Sequence, residues 1–289
     1  MGGGGSPVAP ATPGGAGGAA PGAPVTPGGG GARPSGGGGG VPINIQRQRT
    51  SKTLLKMNWD YPVYFSEAEK ALEESTDETV AQYVRTSLPR EESFDWVAGD
   101  DPRPLLILRE CLFCNGTDYA LLNRKSDNEK TLLLSQWFHC VKLPNDVLAE
   151  DHPFRNLFDG KKPPHLFMCS PDGSNMLVLN GEQSRSELWS KMIATLKLEY
   201  REDPEKAVKS ITKLLAEYDH LDSMEDWRIE QLENLIEKDG PKSRKVKKLQ
   251  KQIAKLKKDK EKAKSKEKGL FDLGLIRPLP EKEESQPSE

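Results

Sequence analysis

The pattern of apolar and polar stretches predicts four strands between residues 100 and 180. Leu105–Leu108 is a continuous apolar run after the breaker sequence Asp100–Pro104, and short runs of this kind are typical of strands covered on both faces. Similar runs lie at Cys140–Leu143, Leu166–Cys169 and Met176–Leu179. These four runs are the candidate core of a sheet.

Two helical patterns separate and follow these strands. Thr131–Phe138 lies between the first two strands, and Ser186–Glu199 carries apolar residues on one face of a helix. Asp172–Gly173 is a typical hairpin turn between the third and fourth strands. This order predicts an α/β fold with a central mixed sheet, in which the first two strands are parallel and the last two antiparallel.

The chain before the first strand is also predicted to be helical. Ser66 with Glu69 resembles a capping box that opens a helix, and a second helix fits Asp77–Leu88. Apolar residues within Phe94–Val97 indicate one further helical turn.

The chain after residue 200 is predicted to form a helical hairpin. Asp203–Pro204 fits the N-cap and first position of a helix, and Ser223–Asp226 resembles a capping box that starts a second one. Gly240–Pro241 ends that second helix. A last helix, Ser243–Lys266, carries apolar residues at spacings of three and four, as a short coiled coil does.

These patterns predict a succession of segments. A linker at 41–65 precedes an α/β domain at 66–200, the helical hairpin at 201–268 and a flexible tail at 269–289. Because the last helix of the α/β pattern ends near Tyr200, a chain truncated there is expected to fold.

Residues 1–40 have the composition of a disordered, low-complexity arm. They hold 18 of the 26 glycines and seven of the prolines, and Arg33 is their one charged residue. Such a segment buries too little apolar surface to offset the entropy lost on ordering.

The last predicted helix concentrates positive charge. Residues 241–268 contain 14 Lys and Arg against 3 Asp and Glu, in a chain whose formal net charge is -2. A solvated helix face that pairs with acidic surface or with the neighbouring helix explains this charge. Nucleic acid is not the expected partner, because the run lacks aromatic residues for base stacking, and any contact with it would be to phosphate and without sequence preference. Self-association through 243–266 is an alternative.

The four cysteines, at 111, 114, 140 and 169, are too few and too scattered for a disulfide-stapled scaffold. This favours a reducing compartment. Neither a secretory signal nor a membrane-spanning stretch is visible in the sequence, so a cytoplasmic location is expected. One C-x-x-C is half of a zinc site, and His139 and His165 are predicted strand-edge residues, so neither a metal nor a cofactor is predicted.

Taken in order, the motifs resemble the thioredoxin-like superfamily over residues 90–200. The matching motifs are Arg103–Pro104, Leu105–Leu108, Cys111–Cys114, Thr131–Phe138, Val141–Lys142, Pro164, Leu166–Cys169, Asp172–Gly173, Gly181 and Leu188. The resemblance implies a thioredoxin fold, in which a helix-bearing crossover is followed by an antiparallel hairpin and a final helix. It also implies a thiol–disulfide oxidoreductase whose partner is a protein disulfide or peptide client.

By the same resemblance, Cys111 and Cys114 form the catalytic dithiol. One thiolate would attack a substrate disulfide and the other would resolve the mixed disulfide. A gapless alignment instead puts Cys114 in the attacking position and Thr117 in the resolving one, which is a monothiol pattern. The charge of Glu110 and the bulk of Leu112–Phe113 favour a third reading, a redox-inactive fold that binds peptides or partners and assembles through its C-terminal helices.

The two prolines before the third strand have a role in this family pattern. Pro164 matches the cis-proline that stands beside the cysteine turn, and a proline there leaves the adjacent backbone free to bind a peptide or disulfide. The resemblance therefore makes Pro163, Pro164 and Thr117 candidate binding residues.

Overall fold

The computed structural model describes residues 47–65, 86–111, 120–122, 127–158, 160 and 162–277. The helices are α1 (Arg49–Leu54), α2 (Arg90–Ala98), α3 (Glu129–Ser135), α4 (Arg185–Glu199), α5 (Pro204–Asp239) and α6 (Arg244–Phe271). The strands are β1 (Leu105–Arg109), β2 (His139–Leu143), β3 (Leu166–Cys169) and β4 (Leu177–Leu179). Short 3-10 helices lie at Asn145–Leu148 and Arg155–Leu157. Among these described helices, none combines the length and the apolar character that crossing a bilayer requires.

The four strands form one mixed sheet in the order β2-β1-β3-β4. β1 is parallel to β2 and antiparallel to β3, and β3 is antiparallel to β4. The α/β class and the predicted directions of both strand pairs are therefore confirmed.

Strand β1 is buried along its whole length, as its apolar sequence predicts. Leu106 and Leu108 face a cluster that α3, α4 and the start of α5 complete, and Leu105 and Ile107 face a second cluster with α2. A strand with an apolar side chain at every position requires cover on both faces, and the helices supply it.

The predicted turn at Asp172–Gly173 connects β3 to β4. The Ser170 amide donates to the Ser174 carbonyl at 2.9 Å, and the Gly173 amide donates to the Ser170 carbonyl at 2.9 Å. Gly173 has a φ of 77° and lies against the ring of Phe94. A side chain at this position would strain the backbone and would clash with that ring.

Several helix boundaries differ from the sequence patterns. α3 ends at Ser135 rather than Phe138, and α6 continues to Phe271 rather than ending at Lys266. The predicted helix at Ser66 lies outside the described residues, as does most of the one at Asp77–Leu88, whose described end, residues 86–88, is not helical. The N-terminal arm at 1–40 also lies outside them.

The capping box at Ser223 does not start a helix, because α5 is continuous through it for 36 residues. No glycine or proline stands between Pro204 and Gly240 to interrupt the backbone hydrogen bonds. The neighbouring carboxylates, Asp222 and Glu225, are instead used by Lys260 of α6. The helix ends as predicted at Gly240, where φ is 78°.

The described parts of the predicted linker and tail are packed. In the linker, α1 lies against α5, and Asp60 bridges to Val141 at the outer edge of β2. In the tail, Leu273 is 2% exposed and Leu275 bridges to Tyr200. Both segments thus contribute apolar side chains to the core cluster on one face of the sheet.

A cluster of ion pairs joins α5 to α6 and to the segment before α1. The Lys260 ammonium lies 2.6 Å from the fully buried Asp222 carboxylate and also contacts Glu225. Arg47 bridges Asp219 at 2.6 Å and Glu129 at 2.7 Å. Three segments far apart in sequence are therefore held by partly buried charges, and not by apolar contact alone.

These contacts lower the pKa of the carboxyl groups. Burial by itself raises the pKa of Asp222, but hydrogen bonds from Lys260 and Thr50 outweigh it and hold the pKa below its ordinary value. Hydrogen bonding to Lys260 is the main reason why the pKa of Glu225 is lowered. The charged forms are thus the ones that stabilise the folded state.

The boundary predicted at residue 200 is crossed by the core. The cluster that covers one face of the sheet includes Ile211 and Leu215 from α5, and Leu273 from the end of the chain. The Trp137 indole donates to the Phe271 carbonyl at 2.8 Å.

We therefore expect a chain truncated after Tyr200 to lose cooperative unfolding, because the sheet's helical cover would be incomplete. Thermal unfolding followed by circular dichroism checks this. A chain ending at Arg277, which keeps all described contacts, is the control. A truncated chain that unfolds cooperatively near the control's midpoint would restore the separate α/β domain predicted from the sequence.

Lys260→Met should destabilise the protein by about 3 kcal/mol, because it removes the closer of two cations from the buried Asp222 carboxylate. The remaining cation, Arg49, lies 3.7 Å away. The wild type should lose stability as pH falls below about 4, since the stabilising charge on Asp222 and Glu225 is present above the ordinary carboxyl pKa and is lost through the lowered one. Urea unfolding at several pH values measures both effects. Lys257→Met, at an exposed position of the same helix, is the control, and an equal loss in both variants would contradict the assigned role of Lys260.

Candidate functional site

The candidate site lies where β1 ends. β1 and β2 are parallel, so their carboxyl ends meet at one edge of the sheet, and Glu110 and Cys111 follow β1 there. The Glu110 amide donates to the Leu143 carbonyl at 2.9 Å, which continues the ladder by one residue. Cys111 therefore lies at the end of a strand that is buried along its whole length.

The chain before β3 lies against the same strand end. The Arg109 amide donates to the His165 carbonyl at 2.8 Å, and the Arg109 Nε donates to the Pro164 carbonyl at 3.3 Å. Pro164 thus lies beside a residue two positions before Cys111. The packing of Pro164 against the cysteine turn and the cis geometry of the Pro163–Pro164 bond stay predictions.

Arg109 is the buried cation of this site. It is 7% exposed and has no acidic partner among the described residues. Burial lowers its pKa, since the charged guanidinium is partly removed from water. The guanidinium contacts the Pro164 carbonyl and His165 Nδ1, on the chain that leads into β3.

His165 is held neutral beside Arg109. The Arg109 Nη2 lies 3.0 Å from His165 Nδ1, and because a guanidinium only donates, Nδ1 accepts. The pKa of His165 is lowered, first by burial and then by the positive charge of Arg109. A protonated ring would lose the hydrogen bond and face a like charge.

The four cysteines fall into two kinds. Cys111 takes part in a disulfide bond, whereas Cys140 and Cys169 are free and buried. Burial raises the pKa of both free thiols to about 12, so neither forms a thiolate near neutral pH. Their predicted role as small apolar strand residues agrees with this. Cys114 and Thr117, the other candidate residues of the turn, lie outside the described part of the chain.

A cation and two aromatic rings flank the site at the edge strand. The Lys142 ammonium lies 4.9 Å from the Trp59 ring and 5.9 Å from the Tyr61 ring. It also lies 3.9 Å from the Glu110 carboxylate. Lys142 thereby reduces the negative charge that Glu110 presents beside Cys111.

Exposed apolar side chains continue from this edge. Tyr61 is 59% exposed, Val63 60%, Phe65 44% and Trp96 42%. Tyr64 packs edge-on against Trp96 with ring centroids 4.8 Å apart, which fixes the segment on α2. Grouped exposed apolar residues of this kind are typical of surfaces that bind other molecules.

The sequence patterns did not single out Arg109 or the residues around Tyr61, and they named Lys142 only as part of the Val141–Lys142 strand motif. A charged residue that ends a fully apolar run, as Arg109 does after Leu105–Leu108, is the signal that was available. Apolar residues at 59, 61, 63 and 65 follow the alternating period of a strand, but Pro62 stands among them and cannot donate a ladder hydrogen bond. The contact of this segment with β2 is a bridge at Asp60.

Comparisons with known proteins do not assign the chain to a family. No protein-family model matches the chain, and neither a curated protein nor a solved structure matches it. Within the described ranges, no group of three or more His, Cys, Asp or Glu side chains is placed to hold a metal ion.

Replacing Arg109 should raise the pKa of His165 toward its ordinary value, because Arg109→Met removes the adjacent positive charge. Burial would still keep that pKa below the ordinary value. The titration of the His165 ring, followed by NMR, measures the shift.

Arg103→Met serves as the control, since Arg103 pairs with Asp101 before β1 begins. An unchanged His165 pKa in Arg109→Met, or an equal shift in the control, would contradict the electrostatic contact.

Proposed function

We propose that this protein is a thioredoxin-like thiol–disulfide oxidoreductase that uses Cys111 and Cys114. Cys111 carries the proposal. It is disulfide-bonded at the carboxyl end of the central strand, while the two other described cysteines are buried free thiols. Cys114 is the cysteine to which the proposal assigns the second role.

The strand order supports the thioredoxin-like assignment. Parallel β1 and β2 are joined through α3, β3 and β4 form an antiparallel hairpin, and α4 follows them. This is the plan that the resemblance implies. The carbonyl groups of Pro164 and His165 beside the end of β1 agree with the predicted place of a substrate-binding proline.

The proposed reaction is an exchange of two electrons between dithiols and disulfides. In the reduced protein, the thiolate of one cysteine attacks one sulfur of a client disulfide and releases the other sulfur as a thiolate, which takes up a proton. The second cysteine then attacks the mixed disulfide, so that the client leaves as a dithiol and the Cys111–Cys114 disulfide forms. A low-molecular-weight dithiol returns the protein to its reduced form.

Nearby groups support chemistry at this position. Arg109 is the last residue of β1, and Lys142 lies one residue before the end of β2. Lys142 also contacts Glu110. Positive charge lowers a thiol's pKa, whereas the carboxylate of Glu110 raises it. The sequence-based objection from Glu110 is therefore weakened.

Cys111→Ser and Cys114→Ser should each abolish the reduction of insulin disulfides by the full chain with dithiothreitol as reductant. In the monothiol alternative, only Cys114→Ser would do so. Cys169→Ala is the matched control, because that thiol is fully buried, and it should keep the activity.

The reduction potential of the Cys111 disulfide is a second measurement, and it requires no protein substrate. A value below about -300 mV is typical of structural disulfides. The variant in which both Cys111 and Cys114 are replaced by serine is the baseline for activity. A potential below about -300 mV, together with wild-type activity no higher than this baseline, would contradict the oxidoreductase proposal.

A second candidate function is a redox-inactive module that binds peptides or partner proteins. The exposed group of Tyr61, Val63, Phe65 and Trp96 favours it, because this apolar surface does not depend on the cysteines. If the wild type is inactive in the insulin assay and both serine variants keep the fold, the oxidoreductase function is excluded. The binding function is then the one that the exposed apolar surface supports.

A further inference from the structure

We propose that the outer face of α6 binds the phosphate backbone of nucleic acid without sequence preference. This surface, called the basic row below, consists of Arg244, Lys248, Lys251, Lys255 and Lys258. The proposal is independent of the cysteines and of the oxidoreductase reaction.

The spacing of these residues places them on one face of the helix. Successive members are separated by four, three, four and three positions, so their side chains share one stripe. With a rise of about 1.5 Å per residue, the stripe extends for roughly 21 Å. All five residues are exposed.

The opposite face of α6 packs on α5. Val246 and Leu249 are buried there, Lys260 pairs with Asp222, and the Tyr218 hydroxyl donates to Glu267 at 2.6 Å. The helix is thereby fixed with its basic row directed away from its neighbour. An isolated helix of this sequence would be weakened by repulsion between like charges three and four positions apart.

The basic row has no acidic partner among the residues that the structure describes. The ion pairs that α6 makes with α5 use Lys245, Lys260 and Lys266, and none of these belongs to the row. Within the described part of the chain, no ion pair includes a member of the row. The interpretation of the charge as pairing with the neighbouring helix therefore holds for only part of α6.

The side chains of the basic row indicate which class of partner it binds. Residues 244–258 contain no acidic side chain, and the row itself contains no apolar or aromatic one. A membrane-surface helix inserts an apolar face, but that face of α6 is occupied by α5. The basic row offers evenly spaced cations, and it has no side chain that could bind a base edge or bury an apolar group. Such a surface fits a row of phosphates.

The probe for the test is a 20-base-pair duplex DNA, titrated with the full chain at several salt concentrations and followed by fluorescence anisotropy. Each cation that neutralises a phosphate contributes about -0.9 to the slope of log K against log salt. If all five members make contact, the slope is about -4.5. Two duplexes of different base composition should bind equally.

The variant Lys248→Gln, Lys251→Gln, Lys255→Gln should make the slope less negative by about 2.7, because three phosphate contacts are lost. Glutamine has a similar helix propensity to lysine, so α6 should remain formed. The matched control is Lys206→Gln, Lys209→Gln, Lys213→Gln, which removes the same charge from exposed positions of α5 and should leave the slope unchanged.

Three results would overturn the proposal. The first is a wild-type slope near zero, and the second is an equal loss of binding in the control. The third is a preference for another partner through the same row. Tighter binding to vesicles with anionic lipid would indicate a membrane surface, and self-association without DNA that the row variant abolishes would indicate a second copy of the chain.

Discussion

The fold depends on covering both faces of β1. Four consecutive apolar residues, Leu105–Leu108, leave this strand without a face that tolerates water. The helices α3, α4 and α5 cover one side, and α2 with the two short 3-10 helices covers the other. Packing on both faces consequently fixes the position of the end of β1. This in turn positions Arg109, Glu110 and Cys111.

The C-terminal helices are attached by a different kind of interaction. α6 is mostly charged, and its few apolar residues on the α5 side are supplemented by Lys260 between two carboxylates. Such a cluster is a weaker source of net stability than apolar packing, but it is sensitive to the loss of a single partner. Removing one partner therefore costs more stability than the intact cluster contributes.

The sequence predicted the sheet well because buried strands and turn residues have local signatures. The four apolar runs, the turn at Gly173 and the helix ends at Gly240 and Ser243 all have a cause within a few residues. The continuity of α5 and the packing of residues 47–65 have causes far away in the chain. Lys260 lies 38 positions from Asp222, and Arg47 lies 172 positions from Asp219.

The same distinction applies to the candidate site. Cys111 and Pro164 were identified because their residue types are chemically specific. The buried cation, Arg109, was not identified, because its role depends on the chain before β3 returning to the end of β1. A charged residue at the end of an apolar run is visible in the sequence, but the groups that it contacts are not.

The unbroken course of α5 has a mechanical consequence. Its first turns, with Ala207 and Ile211, belong to the cluster on the sheet, and its last turn reaches Gly240 without a hinge. With about 1.5 Å per residue, its 36 residues make a rod of roughly 54 Å. A tilt of about 5° at the sheet would displace the far end by roughly 5 Å, by the geometry of a straight helix. The helix is thus a lever arm, in which small repacking beside the sheet becomes a large excursion at the Gly240 turn.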